Sequence, residues 1–236
     1  MQKIAEKLSK MNCGKILDIA TGRGEFVHLL QHSLGSFDEI VGIDTDERML
    51  KMAEGHFKEE NISFKKVDAE KTEFEDDSFD VVAMSNSLHH MNNLETALAE
   101  MKRVSNNYIF INEMTCDEGQ TEPQNTHILF HHWAAEIDRF MGRFHNVTYT
   151  KAEIREIIEK LALAKVEYFE YVYPVENPLE EKLVEQLTKT VNHYLNVLKD
   201  KADSESLIEK GKKLRTRIKE IGFASANSIF VIAEKR

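Results

Sequence analysis

The chain has 236 residues, 42% of them hydrophobic and 31% charged, with 31 Lys+Arg against 41 Asp+Glu for a net charge of −10. That composition is too apolar for a disordered chain and allows one large core or a core with a subdomain. The charge argues against a general binder of nucleic acid or of an anionic membrane. No apolar run approaches the roughly 18 residues of a membrane helix. The opening MQKIAEKLSK is charged and amphipathic, unlike a secretory leader, and two cysteines, Cys13 and Cys116, cannot form a disulfide framework. A reduced cytoplasmic protein is expected.

Residues 2–12 suit a short helix with Ile4, Leu8 and Met11 on one face. KILDIA (15–20) is a short apolar run before a glycine-bearing turn, the pattern of a buried parallel strand. A helix follows from about Gly24 to Leu34, with Gly35 as its stop. EIVGID (39–44) is a second strand, and 46–60 a helix with Met49, Leu50, Ala53 and Phe57 inward. ISFKKVDA (62–69) and FDVVAMSN (79–86) are the third and fourth strands. Asn92 and Glu95 form a capping-box pair for a helix to about Val104, and NYIFINEM (107–114) is the fifth strand. Alternation of this kind predicts a doubly wound parallel sheet with right-handed crossovers.

The second half is less regular. Residues 115–150 show no clear period and hold His127, His131, His132, His145 and the sole tryptophan, Trp133. Thr150 and Glu153 form a second capping box, ahead of a helix with Ile154, Ile157, Ile158 and Leu161 inward. AKVEYFEYV (164–172) is a sixth strand. Asn177 with Pro178 at the first helical position predicts a helix start, with the stripe Leu179, Leu183, Leu187, Val191, Leu198. A further helix carries Leu207, Gly211, Leu214, Ile218 and Ile221 and stops at Gly222; SANSIFVIAE (225–234) is the seventh strand. The basic run Lys210 to Lys219 is interleaved with acids and apolar residues, so a solvated helix face accounts for it.

Six of the ten glycines lie in the first 55 residues. Gly22 and Gly24 stand where an open α/β sheet binds ligands, at the carboxyl end of its first strand and the N-terminus of the next helix. The third glycine of a dinucleotide fingerprint would fall at Val27, which disfavours a nicotinamide or flavin cofactor. Asp44, 22 residues after Gly22, ends the second strand, where an acid can take both hydroxyls of a ribose; the alternative is a cap for the following helix. Asp68 and the Ala69 N–H could meet an exocyclic amine and a purine ring nitrogen. Residues 44–80 hold 13 acids against 6 bases, so much of the negative charge lies in this stretch.

LDIATGRGEF, VGIDTDERML, VDAE and FEDDSFDVVAMSNSLHHM stand in the order and spacing of class I S-adenosylmethionine-dependent methyltransferases. They most resemble the ubiquinone/menaquinone-biosynthesis type, over about residues 10–115. The resemblance implies a Rossmann-like, mostly parallel seven-stranded α/β sheet with helical cap insertions. It divides the chain into a cofactor-binding half (1–114), a cap or substrate insertion (115–150) and a completion of the sheet (151–236) with a helical insertion at 178–222. It places Ala20, Gly22 and Gly24 beside the methionine part of S-adenosylmethionine, Asp44 on the ribose, Thr45 or Met49 on the adenine face, and Asp68 and Ala69 on the adenine edge. Ser85, Asn86 and Leu88 would floor the methyl donor. Ala20 departs from the glycine usual at its position.

The implied reaction is methyl transfer by in-line displacement to a small-molecule acceptor. His89 or His90 could serve as a base if the acceptor must lose a proton, or the pair could be a structural turn bonding backbone. His131, His132, Trp133 and Arg139 are candidates for acceptor recognition; ordinary surface histidines, or a metal held by His127 and His131, are the other readings. The 178–222 helices could close over the acceptor or pair with a second copy in a homodimer. A cofactor-binding regulatory protein, or a macromolecular acceptor, would be the alternatives.

Overall fold

The computed structural model of the chain describes residues 2–236. Its strands are β1 (Lys15–Ile19), β2 (Glu39–Asp44), β3 (Ile62–Lys66), β4 (Phe79–Ser85), β5 (Ser105–Met114), β6 (Lys165–Tyr171) and β7 (Ser228–Glu234). The helices are α1 (Gln2–Leu8), α2 (Glu25–Ser33), α3 (Glu47–His56), α4 (Leu94–Val104), α5 (Glu122–Phe140), α6 (Lys151–Glu159), α7 (Glu181–Lys199) and α8 (Glu205–Glu220). Among the described residues no helix is long and apolar enough to cross a membrane.

All seven strands join one sheet in the order β3-β2-β1-β4-β5-β7-β6. β1 pairs in parallel with β2 (Ile16 opposite Ile40) and with β4 (Ile16 opposite Val81), while β3 and β5 extend the parallel run on either side. β7 runs against β5: the N–H of Thr115 donates to the carbonyl of Asn227, and that of Lys235 to the carbonyl of Asn107. The chain winds outward from β1 to β3 and then returns to β4 on the other flank of β1. The switch point therefore lies between β1 and β4, at whose carboxyl ends this architecture binds its ligands.

Two compact units divide the chain. The first comprises residues 1–113, 153–171 and 229–236, and the second 114–152 and 172–228. The first unit's core is Ile16, Val27, Leu30, Ile40, Val81, Phe110 and Phe230, all buried, because β1, β2 and β4 carry apolar residues toward both faces, as strands covered on two sides must. In the second unit Trp133 and Ile137 of α5 meet Val191 and Leu198 of α7 and Leu207, Leu214 and Ile218 of α8. The two segments read as separate insertions thus share one core, in which Val191 and Leu198 of the α7 stripe are buried with α8 and α5 of the same chain, while Leu179 stays exposed.

Several local expectations are corrected. The aperiodic 115–150 segment contains the 19-residue α5, opened by a capping box of Thr121 and Gln124 with proline in its first turn. Its inward face includes Gln124 and Thr126 beside Ile128, Trp133, Ala135 and Ile137, which dilutes the apolar period. The cap of α4 is Asn93, not Asn92: its side chain accepts from the Thr96 N–H at 3.1 Å. α7 starts at Glu181 rather than at Pro178, whose carbonyl instead accepts from the N–H of Phe223 at 2.8 Å. Gly35 is not a left-handed helix stop. A Cβ there would lie 2.7 Å from the Ser9 carbonyl and 2.9 Å from that of Met11, so the residue lets the N-terminal segment close on the sheet.

Candidate active site

The loop after β1 turns sharply because three successive even positions hold left-handed backbone: Ala20 (φ 54°), Gly22 (φ 56°) and Gly24 (φ 85°). Ala20 takes this conformation despite its Cβ, a strain of about 1–2 kcal/mol that glycine would not carry. At Gly22 a Cβ would meet nothing within 4 Å, so this backbone borders open space. At Gly24 it would strike the Phe57 ring at 2.6 Å, so Gly24 serves packing as well as the turn. Helix α2 starts directly behind the loop, with its unpaired N–H groups and positive dipole end there.

Asp44 ends β2 beside this loop. One carboxylate oxygen accepts from the Gly22 N–H and the other from the Asp46 N–H, each at 2.9 Å. The side chain is thereby fixed, while each oxygen retains further acceptor capacity. Capping of α3 falls to Asp46, whose carboxylate accepts from the N–H groups of Arg48 and Met49, so the alternative role for Asp44 as the helix cap does not hold.

Ala20, Asp44, Thr45, Asp68 and Ala69 line one cleft of about 220 Å³ together with Val67, Glu70, His90, Met91 and Asn92. Five residues proposed from the sequence for the cofactor, and His90, are therefore brought together. Gly22, Gly24, Met49, Ser85, Asn86 and Leu88 lie outside that lining. Ser85 Oγ accepts from Asn112 at 3.0 Å, Asn86 holds φ 47° at the end of β4, and Leu88 is buried.

Two acids in apolar strands were not among the candidates. Asp18, 1% exposed in β1, accepts from the Thr21 hydroxyl at 2.6 Å through one oxygen, while the other has no hydrogen-bond partner among the described residues. Burial pushes its carboxyl up to about 7 against the lowering by Thr21, with repulsion from Asp44 and Glu25 added. Between the ordinary value of 3.8 and about 7 the folded chain keeps a proton that the unfolded chain has lost, so this group lowers stability as pH rises across that window. Urea denaturation of Asp18→Asn from pH 4 to 8 should show its stability gaining on the parent through the window; parallel curves would refute this. The second acid is Glu113 of β5, buried against His89. A carboxylate inside an apolar strand is the signal that could have found both.

The candidates for acceptor recognition are engaged within the second unit. The Trp133 indole donates to the Leu207 carbonyl at 2.9 Å, Nε2 of His132 lies 2.8 Å from Thr148 Oγ1, and Arg139 bonds the His145 carbonyl. His131 stacks edge-on against His145, ring centres 5.0 Å apart. His127, weighed as a metal ligand, accepts from the Ala226 N–H at 3.0 Å, and burial drops it to about 4, so it is neutral there.

The glycine turn after β1 and the acid at the end of β2 stand where open α/β sheets bind their ligands, and residues 17–107 match the family model of a methyltransferase domain. Over 94 residues the chain is 35% identical to the ubiquinone/menaquinone biosynthesis C-methyltransferase UbiE of Burkholderia mallei, and equally to that of Burkholderia thailandensis. The match covers 39% of this chain and 39% of those proteins, so the chain spans about two fifths of the length of these relatives. Among solved structures, the YcgJ protein of Bacillus subtilis superposes with a TM-score of 0.61 at 16% identity, covering 100% of this chain and 99% of that one. Phosphoethanolamine N-methyltransferase 2 of Haemonchus contortus, solved with S-adenosyl-L-methionine, gives 0.58 at 17% identity over 99% and 51%. At these identities the structural likeness is one of fold.

Proposed function

We propose that this protein transfers a methyl group from S-adenosylmethionine to a small-molecule acceptor. The observation that carries the reading is the convergence of Ala20, Asp44, Asp68 and Ala69 on one cleft at the carboxyl ends of adjacent parallel strands. The residues fit the donor. Asp44, held by two backbone N–H groups, presents two acceptor oxygens to ribose hydroxyls. Asp68 and the Ala69 N–H offer an acceptor and a donor to an adenine edge, with Thr45 beside them. Open space at Gly22 and the orphaned Asp18 oxygen suit a charged methionine part near the turn.

When bound, the donor supplies an activated sulfonium methyl group, and the protein's task is alignment and exclusion of water. Orientation of this kind is worth several kcal/mol, up to about 7–11 in favourable intramolecular systems. A small acceptor accords with the relatives, whose names specify quinone biosynthesis and phosphoethanolamine, and with the −10 charge, which disfavours a polyanion. The test incubates the protein with methyl-labelled donor and, in parallel, quinol and phenol acceptors, amino alcohols, RNA and protein substrates. Label in a small product is expected. Label only in a macromolecule, or cofactor binding with no transfer, would overturn the proposal.

A further inference from the structure

Helices α5 and α8 pack side by side in the second unit, and each turns a row of side chains toward a shared cavity of about 390 Å³. Leu129 and Trp133 of α5 and Leu214 of α8 give it a mostly apolar wall. Lys210, Lys213 and Arg217, at positions i, i+3 and i+7 of α8, bring three cations to the same space. Glu136 is the one acid in the lining, on a chain whose net charge is −10. Three of the six cations between Lys210 and Lys219 therefore border a cavity, so a solvated helix face accounts for only part of that run. The three are not equally committed. Lys210 lies 2.6 Å from Glu136. Lys213 pairs at 2.7 Å with Glu209 one turn earlier, both side chains largely exposed, and such pairs are weak and readily exchanged. Arg217 is fixed: Nε donates to Thr126 Oγ1 at 3.0 Å and Nη2 to the carbonyl and carboxylate of Glu122, while Nη1 donates to no atom of the described residues. Leu129, beside them, is 48% exposed. A bare anion would leave the apolar wall in water, and a neutral hydrocarbon would desolvate the cations without compensation. A molecule with an apolar body and a carboxylate answers both, and the volume lies within the range of small-ligand pockets, about 300–1,000 Å³.

We propose that the cavity between α5 and α8 binds a medium-chain fatty acid, its chain along Leu129, Leu214 and Trp133 and its carboxylate taking donors from Arg217 and Lys213. Lys213 exchanges Glu209 for the ligand carboxylate. Arg217, already oriented by Thr126 and Glu122, adds a charge-assisted hydrogen bond from Nη1 at little cost in side-chain freedom. The site lies wholly within the second unit, and neither it nor its test depends on the methyl-transfer reading.

The sole tryptophan of the chain borders this cavity, so its emission reports occupancy. Titrating the full chain with octanoate should shift the Trp133 fluorescence saturably, with a dissociation constant below about 1 mM. Octan-1-ol and octylammonium should bind at least about tenfold more weakly, because they lose the hydrogen bonds between charged groups. Lys213→Glu should weaken octanoate binding by about 10–100-fold, and Leu129→Asp should abolish the fluorescence shift. Both positions are exposed, so circular dichroism and the thermal midpoint should stay those of the parent. Octanoate that leaves the emission unchanged, binds no better than octan-1-ol, or binds both variants as it binds the parent overturns the proposal. So does a cavity that ignores octanoate and takes an acidic amphipathic peptide, or that is covered in a dimer which Leu129→Asp abolishes in sedimentation, since the occupant is then a protein surface. If one variant does not fold, the other and the comparison of three ligands on the parent still decide.

Discussion

Replacing Asp44 with alanine should raise the dissociation constant for S-adenosylhomocysteine by roughly 10²–10⁴-fold in titration calorimetry. Hydrogen bonds to a charged group are worth about 1.5–3 kcal/mol each, and a ribose would use two. The loss should fall on binding and not on folding. The N–H groups that Asp44 now satisfies, those of Gly22 and Asp46, belong to a half-buried and an exposed residue, where water can replace the carboxylate. Asp68→Ala should cost far less, about tenfold. That acid is exposed, one of its oxygens already accepts from the Glu70 N–H at 2.9 Å, and its expected partner is a neutral amine. Equal losses at the two positions, or unchanged affinity after Asp44→Ala, would remove the ribose role.

The largest stability effect is expected at Trp133. This residue is 3% exposed, packs edge-on against Tyr194 with ring centres 5.7 Å apart, and donates from its indole to the Leu207 carbonyl. A Cβ at Gly211 would stand 2.4 Å from its ring, so α8 carries glycine there to admit the indole. Trp133→Ala should cost about 3–5 kcal/mol in denaturant unfolding, since it leaves a large void and strips the Leu207 carbonyl of its donor. Hydrogen exchange should place the damage in α5, α7 and α8, with amides of β1, β2 and β4 keeping their protection. A loss below about 1 kcal/mol would contradict a core role and restore Trp133 as a ligand contact.

Much of the first unit can be read along the chain. KILDI, EIVGID and FDVVAMS are runs of β-forming apolar residues bounded by polar or glycine turns, and all three are strands of the sheet. The acids that end β2 and follow β3 reach one cleft because parallel strands in register bring their carboxyl ends side by side. Elsewhere the local signals were ambiguous. Asn92 and Asn93 are equally good caps, and the bond from the Asn93 N–H to Glu70, 23 residues away, accompanies the choice of the second. For α5 the signal was present in Thr121 and Gln124 but was masked by the histidines and by polar residues on the buried face.

Capping, turn and period signals concern neighbours within about four residues, which is why the alternation of strands and helices in the first half, the glycine turn and the acids at the ends of the second and third strands were legible along the chain. The pairings that define the rest join positions far apart in sequence. Glu113 meets His89 across 24 residues, Trp133 meets Leu207 across 74, and the segments 114–152 and 172–228 share a single core. No spacing rule encodes such contacts. They arise because burial demands a partner for every polar atom and apolar surface for every stripe, and only the folded chain determines which residues supply them.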